Sequence, residues 1–140
     1  MAFANLRFTR PSASGDVCVD RASGSAMGNP FRTIPGVSRD AACDAFRLLL
    51  RAPSADDAAP VRIAAEMELP PQCVSCDMCA PGTQAARIEA VAALGRRIAS
   101  GQDVRLLCWC FPRRCHAECI ACAAREIAGP VKGSARKRTR

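Results

Sequence analysis

Val104-Arg105-Leu106-Leu107-Cys108-Trp109-Cys110, continued by Phe111-Pro112-Arg113-Arg114-Cys115-His116, decides how this chain folds. From Val104 to Trp109 only Arg105 interrupts an apolar run, and a run this short suits a buried strand better than a helix. Pro112 and the two arginines end it. Ala117 to Ile127 follows, Ala-rich, with Ile120, Ala123, Ala124 and Ile127 on one helical face. The segment reads as strand, tight turn and helix, and it gathers Cys108, Cys110, Cys115 and His116 around the turn. In open α/β sheets, ligands sit at this carboxyl end of a strand.

Upstream, Leu6–Arg10 alternates and reads as a short strand or a lead-in, and Asp16-Val17-Cys18-Val19-Asp20 reads as a strand between turns. A Gly/Ser loop from Arg21 ends in Gly28-Asn29-Pro30-Phe31, where Gly28 permits positive φ and Asn before Pro favours an extended or turn conformation. Ser38 is placed to cap a helix over Arg39–Arg51, whose apolar stripe is Ala42, Ala45, Phe46, Leu49 and Leu50. Val61–Leu69 suits a strand or a helical turn equally. Thr83 caps a helix over Gln84–Ser100, with Ile88, Val91, Ala92, Gly95 and Ile98 facing inward and Gly101 ending it. The alternation predicts an α/β fold: a small two-layer or three-layer sandwich with a short, mostly parallel sheet. Residues 1–130 are expected to form one domain with a Cys-rich insert at about 70–82, followed by a disordered basic tail over 131–140.

No apolar run approaches the roughly 18 to 20 residues that span a bilayer, and Met1–Arg7 lacks the layout of a signal peptide, so a cytoplasmic location and no membrane partner are expected. In that compartment ten cysteines point to metal binding or thiol chemistry rather than disulfides. Five of the seven net positive charges fall in Lys132–Arg140, which leaves +2 on the remainder and argues against a strongly basic folded surface. The tail itself suits salt-sensitive contact with nucleic-acid phosphates, or simple solubilisation.

Three constellations carry chemistry. Around the Cys–His turn, Cys108 and Cys110 would share one face of the strand, with Trp109 on the other, and Cys115 and His116 would fall at the start of the helix. Three readings stand there: small core residues with His116 as a cap, a Cys115 nucleophile with His116 as base, or a zinc site built from all four. Adjacent helical residues diverge by about 100°, so His116 need not reach the Cys115 sulfur. In the insert, Cys73-x-x-Cys76-x-x-Cys79 supplies three-quarters of a zinc site, to which Cys108, Cys110, Cys115, His116 or Cys119 would add the fourth ligand; free thiols are the alternative. Cys119 and Cys122, at i and i+3, read as core or spare ligands. The third constellation is Asp20-Arg21 with Gly28-Asn29. Arg21 could fork onto a phosphate and Asn29 read a base or amide edge, against an Asp–Arg pair and a plain turn. If the strands holding Cys18 and Cys108 are neighbours, this loop and the Cys–His turn share one crevice.

Val19-Asp20-Arg21, Gly28-Asn29-Pro30-Phe31 and Leu107-Cys108-Trp109-Cys110-Phe111-Pro112-Arg113-Arg114-Cys115-His116, in this order, resemble the bacterial and phage family of domain of unknown function 4326 over roughly residues 15 to 127. The resemblance implies a compact α/β domain common in phage and mobile elements, and supplies no reaction. The Cys73–Cys79 insert departs from its short members. The leading expectation is a nucleotide or other phosphate-bearing ligand in the crevice, with Arg21 and Arg114 on the anion, Asn29 on the base, and Cys115 and His116 at the reacting or recognised group. Transfer or hydrolysis at a nucleotide is the reaction class, if there is one. The alternative is a zinc-stabilised, non-enzymatic module for nucleic acid or protein.

Overall fold

A computed structural model describes residues 1–7, 15–20, 25–52, 55–75, 83–110 and 112–130. Three parallel strands, β1 (Ala2–Asn5), β2 (Asp16–Cys18) and β3 (Arg105–Cys108), form one sheet in the order β1-β3-β2. The last strand of the chain is the central one, which explains its apolar run: Leu106 and Leu107 point to opposite faces, and both are 0% exposed. Arg105 is tolerated because its register partner is Asp16, whose buried carboxylate takes a fork from the guanidinium at 2.9 and 2.8 Å.

Parallel neighbours need a long crossover. Between β2 and β3 it holds α1 (Arg39–Leu50), α2 (Ala59–Glu66), a 3-10 turn (Pro71–Cys73) and α3 (Gln84–Ala99); α4 (His116–Ala128) leaves β3. Ser38 and Thr83 do cap α1 and α3, accepting the amides of Ala41 and Ala86 at 3.0 and 3.1 Å. Helix α4 packs on β3, and α1 and α3 pack against α4. The start of the Cys-rich insert is stitched to the Gly-Asn-Pro-Phe loop: Phe31 bridges Val74, and the Arg32 amide donates to the Cys73 carbonyl at 2.7 Å. Cys76 and Cys79, like Arg21 and the basic tail, lie outside the described residues.

The structure settles or revises several local expectations. The first strand is Ala2–Asn5, whose pairing with β3 ends at the bond from the Leu6 amide to the Cys108 carbonyl. Of Leu6–Arg10, expected as a short strand or a lead-in, residues 8–10 lie outside the described residues. Val61–Leu69 is helical as far as Glu66, with Pro60 in the first turn and Ile63 and Ala64 buried. On α3 the inward face is Gln84, Arg87, Val91, Leu94 and Gly95, while Ile88 is 38% exposed. Gln84 donates to the Leu49 carbonyl at 3.0 Å and Arg87 Nη1 donates to Gln84, which leaves Arg87 Nε buried without a partner among the described residues. On α4, Ile127 is 53% exposed: it lies against Gly95 at the rim of the α3–α4 contact.

Gly15 is a sensitive point. Its carbonyl accepts the Arg105 amide at 2.8 Å, and a Cβ there would run into the Asp103 carbonyl. Gly15→Ala is therefore expected to push β2 off β3 and to cost about 1–3 kcal/mol, read as a lower urea midpoint. An unchanged midpoint would mean that this close approach is not needed.

Candidate metal centre and pocket

The site starts where β3 stops. Cys108 is the last strand residue, and Trp109 and Cys110 follow in a bend, so strand alternation does not extend to them. All three line the same pocket, in place of the expected arrangement with Trp109 on the opposite face. Cys115 is the N-cap of α4, and its backbone is extended (φ −137°, ψ 147°) rather than helical. Its sulfur accepts the Ala117 amide at 3.4 Å. Because Cys115 stands outside the helical path, the 100° divergence does not apply, and His116 Nδ1 comes within 3.6 Å of the Cys115 sulfur.

The orientation of the imidazole is fixed from two sides. His116 Nε2 lies 2.6 Å from the Val19 carbonyl. A carbonyl only accepts, so Nε2 carries the proton, and in the neutral ring the Nδ1 lone pair faces the sulfurs of Cys108 (3.8 Å) and Cys115 (3.6 Å). Phe46 closes the other side with an edge-to-face contact at 5.4 Å between ring centroids. The donor atoms of Cys108, Cys115 and His116, all buried, lie within 4.8 Å of one another. Zinc bonds of about 2.3 Å to sulfur and about 2.0–2.1 Å to nitrogen, at a tetrahedral angle, would set sulfur and nitrogen about 3.6 Å apart. The observed separations fit that edge, so this buried group is suited to hold a metal ion.

Cys110 is close enough to Cys108, Cys115 and Arg39 for each to influence its ionisation, while its sulfur stands outside the 4.8 Å group of Cys108, Cys115 and His116. Hydrogen bonds from Cys108 and Cys115, helped by Arg39, pull the Cys110 thiol well below the ordinary range. Its neighbours are pushed the other way: Cys108 up to about 11, chiefly by its bond to Cys110, and Cys115 strongly upward by its bonds to Cys108 and Cys110 and by burial. One of the three thiols ionises at the expense of the others, because adjacent thiolates repel without a cation between them.

Beside these sulfurs opens a pocket of about 310 Å³ at the carboxyl end of the sheet. Strands β2 and β3 are neighbours, so the loop after β2 and the Cys–His turn do share it. Asp20 is buried and accepts the Trp109 indole N–H at 3.0 Å. Asn29 reaches the pocket, but its amide is used within the fold, accepting from the Phe31 amide at 2.9 Å and donating to the Ala42 carbonyl at 3.3 Å. Arg114 also lines the pocket, with its guanidinium shared between Asp40 (2.9 Å) and Asp44 (2.6 Å), which hold it as a cation. Gly28 is buried in the preceding turn and contributes its amide to the Ser25 carbonyl. Cys73 is buried in the 3-10 turn and is not among the converging donors. Cys119 points to the Cys43 carbonyl, and Cys122 is exposed.

Arg39 and Trp109 are among the pocket residues, with Thr33 and Cys43, that escaped the sequence reading. Arg39, just after the Ser38 cap, read only as the start of a helix, and Trp109 as the far face of a strand. The available signal was the position of Arg39 in the first turn of a helix that follows the Gly-Asn-Pro-Phe loop.

The sequence profile of the family described as domain of unknown function 4326 matches residues 5–126. No curated protein and no solved structure matches the chain. No described helix is long and apolar enough to cross a membrane.

Proposed function

The chain belongs to the family of domain of unknown function 4326, and from the geometry of its Cys–His turn we propose that it is a zinc-centred domain that binds a small phosphate-bearing, nucleotide-like ligand. In this reading Cys108, Cys115 and His116 hold the ion and Cys110 completes a tetrahedral set. The observation that carries it is the His116 ring, with one nitrogen anchored on the Val19 carbonyl and the other turned to two buried sulfurs. A carbonyl on the far nitrogen is the outer-shell partner that metal-ligating histidines use to fix tautomer and direction. Thiolate and imidazole donors in tetrahedral spacing favour zinc over magnesium or calcium. Thiolates bound to zinc are poor nucleophiles, so Cys115 and His116 act here as ligands rather than as nucleophile and base.

The pocket supplies the second half of the reading. It lies at the ligand-binding end of a parallel sheet, against the same turn, and arginines reach it from α1 and from the turn. Protein purified without chelator is expected to carry about one zinc per chain with about three thiols protected, and His116→Ala and Cys108→Ser are each expected to lose the ion. Metal-free protein with one fast-reacting thiol would overturn the zinc assignment in favour of a reactive cysteine.

A further inference from the structure

We infer that the pocket takes a planar aromatic ring bearing one anionic group, with the ring stacked on Trp109, the anion on Arg39, and little discrimination among bases. This rests on the proposed reading of the pocket as a small-anion site and specifies its ligand. Trp109 is 55% exposed although it lines a pocket, and its indole N–H is tied to buried Asp20. A large aromatic held at its polar edge presents its ring face without paying for rotamer ordering on binding, which is what a stacking platform requires.

The two pocket arginines differ in what already neutralises them. Arg114 is clamped by Asp40 and Asp44. Arg39 is half-buried in the first turn of α1, next to the Cys110 sulfur, and among the described residues it forms no ion pair with a carboxylate. An incoming phosphate or carboxylate therefore gains most at Arg39, where the α1 N-terminus adds a favourable dipole.

Asn29 and Asp20, buried polar residues that would read a base edge, are occupied. The Asn29 amide is bonded at both ends, and Asp20 is engaged by the indole. Recognition of the ring is left to its face, and every base has one. The volume, about 310 Å³, is at the small end of small-molecule sites, which suits one ring and one anion rather than a dinucleotide.

Trp109 is the only tryptophan and the chain has no tyrosine, so intrinsic fluorescence reports on this pocket alone. The zinc-loaded full chain is titrated with uridine monophosphate, guanosine monophosphate, ribose 5-phosphate and inorganic phosphate, and calorimetry is run in parallel. Both nucleotides are expected to quench saturably, with affinities within about tenfold of each other, and to bind more tightly than the two ringless probes. Trp109→Leu is expected to weaken nucleotide binding about tenfold to a hundredfold by calorimetry. Arg39→Gln should bring the nucleotides down to the affinity of uridine and guanosine. Zinc content, measured on each variant, should stay at one per chain. Ribose 5-phosphate binding as tightly as the nucleotides, with Trp109→Leu unaffected, would overturn the stacking inference and leave the small-anion reading standing. No saturable binding of any probe to zinc-loaded protein would overturn both. A nucleotide affinity unchanged in Arg39→Gln would remove Arg39 from the anion site.

Discussion

Stripping zinc with a strong chelator is expected to lower the melting temperature of this domain by about 15 °C or more, and to leave it largely unfolded at 37 °C. The expectation follows from where the ligands sit. Cys108 ends the central strand, and Cys115 and His116 open the helix that packs on it, so an ion held by them would tie the middle of the sheet to α4 across the turn. The apolar contribution there is modest, because much of what α4 buries is alanine: Ala117, Ala121, Ala123 and Ala124 beside a single Ile120. A domain of this size has a net stability of about 5–15 kcal/mol, and structural zinc contributes an apparent binding free energy of about 10–16 kcal/mol in small zinc domains. Even a third of that, at a few degrees per kcal/mol, gives the stated shift. The measurement is a pair of thermal melts, with chelator and with zinc added back. Curves that coincide within about 2 °C would rule out a structural ion at Cys108, Cys115 and His116.

The sequence was most informative where local rules and tertiary contacts agree. The run from Val104, the break at Pro112 and the Ala-rich stretch after it specify strand, turn and helix on their own, and α1 is readable from the Ser38 cap and the spacing of Ala42, Ala45, Phe46 and Leu49. It was least informative where a residue's place depends on a partner far along the chain. Gln84 and Arg87 look like surface residues, yet both are buried: the Leu49 carbonyl takes the Gln84 amide and the Gln84 oxygen takes one Arg87 N–H, while Arg87 Nε is left without a partner among the described residues. Strand β1 has little apolar pattern of its own and is set by register with β3. At the site the four candidate ligands around the turn were legible as a group. That His116 does reach Cys115 was not, since the outcome turns on Cys115 being an extended cap instead of a helical residue. That Arg114 is paired with carboxylates was likewise hidden, because it depends on Asp40 and Asp44 of α1 meeting the turn across the fold.

Phe46→Ala is expected to cost about 3–5 kcal/mol of stability and, separately, to speed zinc loss. Phe46 is fully buried on α1, and its ring meets His116 at an interplanar angle of 81°. Removing it leaves a cavity beside the imidazole, which keeps its Val19 bond but loses the ring that backs Nδ1 toward the sulfurs. Leu49→Ala, on the same helix and equally buried, separates the two effects. It should destabilise by a comparable amount, about 2–5 kcal/mol, without touching the ring. Urea titrations give the stability change for each variant, and competition with a chromophoric chelator gives the zinc dissociation rate. A faster rate in Phe46→Ala alone identifies the phenyl ring as a positioning group for His116. Equal rates in both variants would reduce Phe46 to core packing, with the histidine held by its carbonyl anchor and the metal themselves.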